Sequence, residues 1–228
     1  MTAVCNPDSI IQRITQIRET LPSSIRLIAV TKTLPVEAIR AAYAAGVRDF
    51  AESRVQEAIA KQADLTDLSD LTWHLIGRLQ ANKARKAVEH FQWIHSVDSL
   101  KLAERLNQLS EEVGRTPQCC LQVKIVPDPP KSGFELDALW EALPELDRLT
   151  RLNIVGLMTI PPQGTLHPQA QAIFQKTSEL AQQINQSGLT RLRITELSMG
   201  MSGDYPVAIA SGSTMIRLGT ILFGFRSA

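Results

Sequence analysis

The chain is poor in aromatic residues, poor in cysteine and almost without net charge. Phenylalanine, tryptophan and tyrosine make up 5% of its 228 residues, and only two are tyrosines. Few side chains are therefore left for stacking on bases. With a net charge of +1 there is no global field to attract nucleic acid or an anionic membrane, so any anion site is local. The three cysteines, Cys5, Cys119 and Cys120, have no framework spacing and exclude a disulfide scaffold. Cys119 and Cys120 are neighbours on an apparent strand, so they face opposite ways. All three read as small buried apolar residues in a reducing compartment. No apolar run nears the roughly 20 residues needed to cross a bilayer. MTAVCNPDSI lacks a basic region followed by an apolar core, so no secretory signal is expected and the protein reads as cytoplasmic. His74, His90, His95 and His167 show no metal-ligand spacing, and no metal is expected.

What is present is alternation. DSIIQRITQIRET places Ile10, Ile11, Ile14 and Ile17 at helical spacing behind Asp8 and Ser9. Strand and helix patterns then follow in turn: RLIAVTK and PVEAIRAAYAAG, DFAES and RVQEAIAKQADL, LTWHLIG and NKARKAVEHF, WIHSV and SLKLAERLNQLSEEVG. QCCLQVKIV and ELDALWEALPELDRL continue the series, with a kink or break expected at Pro144. NIVGLMTI and PQAQAIFQKTSELAQQINQSG, RITELSM and YPVAIASG, and a truncated TMIRLGT unit complete it. Gly46, Gly114 and Gly188 stop three of the helices. The strands are short apolar runs rather than alternating ones, as in a parallel sheet covered by helices. Eight such units predict a single (β/α)₈ barrel over residues 1–228, a fold for which roughly 250 residues is typical. The extra first helix would close the barrel's bottom or side. A doubly wound open sheet is the alternative.

In a barrel, binding groups collect at the C-terminal strand ends. Those ends carry Thr31 and Lys32, Glu52 and Ser53, Gly77 and Arg78, Ser96 and Asp98, Lys131 and Ser132, Met158 and Thr159, Ser198 through Asp204, and Arg217, Gly219 and Thr220. ELSMGMSGD, with two glycines and two serines, and IRLGT read as a phosphate site after strands seven and eight, or as tight barrel turns. Lys32 reads either as a partly desolvated amine able to form a Schiff base or as a lysine that snorkels to solvent. Glu52 and Glu57 read as a cap and a surface charge. Arg78, Lys83, Arg85 and Lys86 read as a solvated helix face.

AVTK, ESRVQE, WHLIGRLQANK, KSGF, GLMTIP, LSMGMSGD and GSTMIRLGTILFG, in that order, resemble the YggS/PROSC family of pyridoxal-phosphate-binding proteins. The likeness runs from the first strand to the C-terminus. It implies a single (β/α)₈ TIM barrel of pyridoxal-phosphate fold type III, similar to the N-terminal domain of alanine racemase. It also implies that Lys32 carries the cofactor, pyridoxal 5'-phosphate (PLP), as a Schiff base. Ser198, Gly219 and Thr220 match the phosphate cradle, and Arg217 matches the arginine facing the pyridine nitrogen. Met158 and Met199 or Met201 would line the pocket. The family's usual G-E-N after the second strand is here Ala51, Glu52 and Ser53, so Ser53 stands where an asparagine would lie near the cofactor. AVTK replaces the frequent AVSK. Part of GRLQANK would border the cofactor mouth.

The family's role is PLP homeostasis: holding, buffering or delivering the vitamer, with PLP-accepting apoenzymes or a regulatory protein as partners. Arg217 cannot lend a proton to the ring nitrogen, which leaves a weak electron sink. A racemase also needs an acid/base on each face. Tyr43 reads as mid-helix, and Tyr205 reads as helix packing. A non-catalytic monomeric carrier is therefore expected. A weak amino-acid racemase and a phosphate-site enzyme without PLP stand as alternatives.

Overall fold

The computed structural model describes residues 6–128 and 130–224; Cys5 lies outside the described residues. The first helix, α1 (Pro7–Thr20), is capped by Asn6, whose side chain accepts from the Asp8 N–H at 3.0 Å. Strand and helix then alternate eight times. The pairs are β1 (Arg26–Val30) and α2 (Val36–Ala44), β2 (Asp49–Glu52) and α3 (Val55–Ala63), β3 (Thr72–Leu75) and α4 (Ala84–His90), β4 (Trp93–Val97) and α5 (Leu100–Val113). They continue with β5 (Gln118–Gln122) and α6 (Leu136–Asp147), β6 (Asn153–Met158) and α7 (His167–Gln186), β7 (Glu196–Ser198) and α8 (Tyr205–Ala210), β8 (Met215–Leu218) and α9 (Thr220–Phe223). The strands pair in chain order, all parallel, and β8 closes on β1 with Ala29 opposite both Leu218 and Phe50. The result is the closed (β/α)₈ barrel that the alternation predicts.

The pleat sorts the side chains into two cores. Odd and even positions of each strand go to opposite faces, so Ile28, Val30, Ala51, Trp93, Cys120, Met158 and Met215 pack inside the barrel. Ala29, Phe50, Cys119, Leu157 and Ile216 face the helices. Cys119 and Cys120 do lie on opposite faces, and burial raises both thiols far above their ordinary range. Helix α1 closes the side of the barrel. It buries Ile10 and Ile14, packs on α2 and α9, and reaches α9 through Arg13, which donates to the Leu222 carbonyl at 3.3 Å.

Three local expectations change. Helix α6 is not broken at Pro144 but continues to Asp147. Pro144 sits in the last turn on the exposed side, below the exposed Trp140, so the carbonyl it fails to serve is left to water. The strand of the RITELSM segment is confined to Glu196–Ser198. The last strand stops at Leu218, and Gly219 becomes the cap of α9 rather than a strand residue.

Asp147 ties the end of α6 to the entrance of β7. Its carboxylate accepts from the backbone N–H groups of Thr190, Arg191 and Leu192 at 3.0, 2.8 and 2.7 Å, and from the Thr190 hydroxyl at 3.0 Å. Slight burial works against the charge, but these donors hold the carboxyl down at about 2. Asp147→Ala is therefore expected to lower stability by about 1 kcal/mol at neutral pH, after allowance for solvent screening. Because the folded pKa is depressed, this contribution is present above the unfolded value of about 3.9. It fades as pH falls towards 2. Urea melts of both proteins across that range should show the gap closing on acidification.

Candidate functional site

A cavity of about 320 Å³ opens at the C-terminal mouth of the barrel, where the ends of β1, β2 and β8 meet the loop after β7. Its apolar wall is Val30, Ile76, Ile160 and Met201. Its polar lining is Lys32, Ser53, Ser202, Arg217 and Thr220, with Gly203 and Gly219 contributing backbone. Two larger hollows exist, but neither combines an amine with a buried cation. One, about 510 Å³, lies at the opposite end of the barrel beside Arg26 and Asp49. The other, about 460 Å³, shares Ser53 with the mouth and is lined by Arg54, Arg78 and Lys83. That second hollow places part of GRLQANK at the mouth's border.

Arg217 points inward from β8 and is 3% exposed. Its guanidinium donates to the Ser198 hydroxyl at 2.6 Å and to the Thr159 carbonyl at 3.0 Å. Both partners are neutral, and it enters no ion pair among the described residues. Burial lowers it to about 10, so at neutral pH it remains a cation that meets the cavity with no carboxylate in ion-pair contact among the described residues, Asp204 acting on it only from a distance.

The anion-binding features gather beside it. Ser202 Oγ receives the backbone N–H groups of Gly219 and Ile221, both at 3.3 Å. These long bonds collect the first donors of α9 and a hydroxyl in one place. The loop can pack closely on α8 because Gly200 adopts φ +97° and has no side chain: a Cβ there would stand 2.6 Å from the Ala208 Cβ. At the other side of the mouth, a Cβ on Gly77 would meet the Ser53 carbonyl oxygen at 2.1 Å, so only glycine lets the ends of β2 and β3 close up.

Lys32 lies two residues beyond β1 and is exposed, which matches the snorkelling reading of its strand-end position and not the partly desolvated one. β1 ends at Val30 and the chain turns at once. Both neighbours of Lys32 are nevertheless held. Lys61 Nζ donates to the Thr31 carbonyl at 2.8 Å, and the Glu57 carboxylate accepts the Thr33 N–H at 2.5 Å. Thr33 has φ 63°, a left-handed conformation uncommon for a residue other than glycine. Lys61 also bridges Glu52 and Glu57, at 2.7 Å each, and Glu52 accepts from the Thr31 hydroxyl at 2.7 Å. Glu52 is fully buried behind β2, and burial raises its carboxyl. The reading of Glu52 as a cap and Glu57 as a surface charge is thus corrected. Together with Lys61 they form an ion cluster, packed between β2 and α3, that fixes the turn carrying Lys32.

Of the sequence-predicted site residues, Lys32, Ser53, Arg217, Gly219 and Thr220 come together around this space. Ser198, Met199 and Met158 do not line it. Ser198 lies one layer deeper, its hydroxyl taken by Arg217 and by His95 at 2.7 Å. Met199 points outward into the helix-facing core, and Met158 fills the barrel interior. The chain turns at Gly200 before it reaches the mouth, so of the two methionines expected there Met201 lines the cavity, and Ser202 occupies the place expected for Ser198. Lys131 sits apart, paired with Asp128 at 3.0 Å and donating to the Pro161 carbonyl at 2.7 Å. Tyr205 packs against the helix-facing core, and Tyr43 donates to Asp70 at 2.8 Å.

A curated relative from Synechocystis sp., a pyridoxal phosphate homeostasis protein, is 55% identical over 211 residues, 92% of this chain and 96% of its own. The structure of PipY from Synechococcus elongatus PCC7942 without PLP superposes with a TM-score of 0.92 at 57% identity, covering 94% of this chain and all of that one. Its counterpart with PLP bound gives 0.91 at 56% identity, with coverage of 94% and 100%. Residues 5–227 match the family described as alanine racemase, N-terminal domain. The chain belongs to that family and, within it, to the pyridoxal phosphate homeostasis proteins.

Proposed function

We propose that this protein binds PLP at the barrel mouth and holds it for homeostasis of the vitamer, without turning it over. The observation that carries the reading is a lysine amine and a buried guanidinium, outside any ion pair among the described residues, facing one cavity of about 320 Å³. The residues fit the group. Lys32 supplies the amine for a covalent bond, formed with loss of water. Arg217 supplies a donor for the ring nitrogen. Ser202, Gly219 and Thr220 supply hydroxyls and N–H groups for the phosphate, and Ser53 a hydroxyl on the remaining side. The relatives' name and the PLP-bound PipY structure support it.

When bound, PLP offers an electron sink that is strongest with its ring nitrogen protonated. Arg217 holds that nitrogen with a donor that keeps its own proton. Lys32 and Arg217 are the only ionisable side chains lining the cavity among the described residues, so a second acid/base is missing. Among the described residues, Trp140 and Leu166 are the only exposed large apolar side chains, which supports a monomer; acceptor apoenzymes as partners follow from the homeostasis reading alone.

The test is borohydride reduction of the PLP-loaded protein, followed by peptide mapping. The expected adduct is on Lys32, and an adduct elsewhere overturns the assignment. The loaded protein in deuterated water should leave the α-hydrogen of added amino acids in place. Rapid exchange that depends on Lys32 would favour the racemase-like reading.

A further inference from the structure

Behind Arg217 a column of hydrogen bonds runs down the inside of the barrel. The Ser198 hydroxyl lies 2.7 Å from His95 Nδ1, His95 Nε2 lies 2.9 Å from His74 Nδ1, and His74 Nε2 lies 2.9 Å from Asp49 Oδ1. With the 2.6 Å bond from Arg217 to Ser198, four links join the cofactor cavity to the hollow at the opposite end. Ser198, His95 and His74 are each buried without solvent contact. The His74 ring is also stacked on Trp93, with centroids 5.6 Å apart and planes 10° from parallel.

The direction of the column is fixed by its ends. A guanidinium only donates and a carboxylate only accepts. Ser198 Oγ accepts from Arg217 and has one proton to give, which goes to His95 Nδ1. His95 must then carry its proton on Nε2 and donate to His74 Nδ1. His74 in turn carries its proton on Nε2 and donates to Asp49. The reverse direction would set a lone pair of His74 against a lone pair of Asp49. Burial holds both imidazoles below their ordinary range. For His95 the neighbouring His74, Arg217 and Arg26 add to this, so both rings stay neutral.

We propose that His95, held in one tautomer by His74 and Asp49, is a positioning residue: it turns the Ser198 lone pair towards Arg217 and thereby fixes the guanidinium in the cofactor cavity. The further step, that this fixed guanidinium governs the electronic state of PLP, rests on the PLP-binding reading above. Ser198 is then a support for the arginine and not a phosphate ligand. An apolar residue in place of His95 fills its volume but leaves the Ser198 proton without its acceptor, and the guanidinium is released from a defined direction. Asparagine keeps an oxygen acceptor at the Nδ1 position.

Two readouts need no PLP. Nitrogen NMR of the histidines in the protein alone is expected to show both His74 and His95 as the neutral Nε2–H tautomer. The Arg217 guanidinium N–H signals are expected to exchange slowly in wild type and in His95→Asn, and to be lost in His95→Leu. The third readout uses PLP. His95→Leu should shift the visible absorption band and release PLP roughly tenfold more readily, as for loss of one charge-assisted hydrogen bond, while His95→Asn stays near wild type. An Nδ1–H tautomer at His95, or a leucine variant that matches wild type where the asparagine variant does not, overturns the proposal in favour of simple packing. A wild-type protein that takes up no PLP would sink the binding reading alone, since the first two readouts still decide the positioning role.

Discussion

Lys32→Ala protein is expected to remain folded and to lose its yellow colour with PLP. Lys32 is exposed and forms no ion pair among the described residues, so its removal should move stability by no more than about 0.5 kcal/mol. The covalent bond proposed for Lys32, in contrast, has no substitute at the cavity, because among the described residues Arg217 is the only other cation that lines it. Arg217 and the donors around Ser202 remain to hold the vitamer non-covalently. Retention should fall by at least about a hundredfold, or about 2.8 kcal/mol. Gel filtration of the loaded variant, with absorbance read before and after borohydride, measures both effects. A variant that keeps its colour through gel filtration would show that another amine does the work.

Lys61→Met is expected to have the largest effect on stability, a loss of about 3 kcal/mol at neutral pH. Glu52 is fully buried, and among the described residues Lys61 is its only cationic partner within ion-pair distance. One carboxylate oxygen, Oε2, already lacks a partner among the described residues. Without the ammonium, the charge is stranded between β2 and α3. The sign of the pH dependence follows from the raised carboxyl of Glu52. A glutamic acid whose folded pKa lies above the unfolded value of about 4.3 stabilises the fold fully below that value and loses the contribution as pH rises through the folded pKa. The variant should thus be weakest at neutral pH and recover on acidification. Adding Glu52→Gln should restore most of the loss at neutral pH. Urea melts decide the matter, and a single variant as stable as wild type at neutral pH would overturn it. Because Lys61 also serves the Thr31 carbonyl, the same variant should hold PLP less tightly.

Much of this was readable from the residues. Apolar runs such as LIAV and WHLIG, set between helical repeats and glycine stops, carry the period changes that define eight strand-helix units. Lys32, Ser53, Arg217, Gly219 and Thr220 were readable because strand ends in a barrel converge. Met201 was left level with Met199, and Ser198 was preferred to Ser202 for the phosphate, because LSMGMS hides where its strand stops. Only the turn at Gly200 tells that Ser198 lies a layer below the mouth. The pairing of Glu52 with Lys61 spans a strand and the following helix, a separation that no local pattern marks. His74 and His95 meet because β3 and β4 pair with His74 beside Trp93, two residues before His95. Given that register, the pleat alone would have put both rings inside.

Arg217 keeps its charge buried at the floor of the mouth cavity, hydrogen-bonded only to neutral oxygens. Holding a cation there without an ion-paired carboxylate costs stability. An acceptor delivered from the mouth offsets that cost, and by mass action the loaded form gains about 2.7 kcal/mol when ligand stands at a hundred times its Kd. In a cell the unfolded fraction is what proteases remove. The lifetime of the chain in a cell is therefore expected to lengthen with the supply of the vitamer; pulse-chase with and without added vitamer checks this, and an unchanged half-life overturns it.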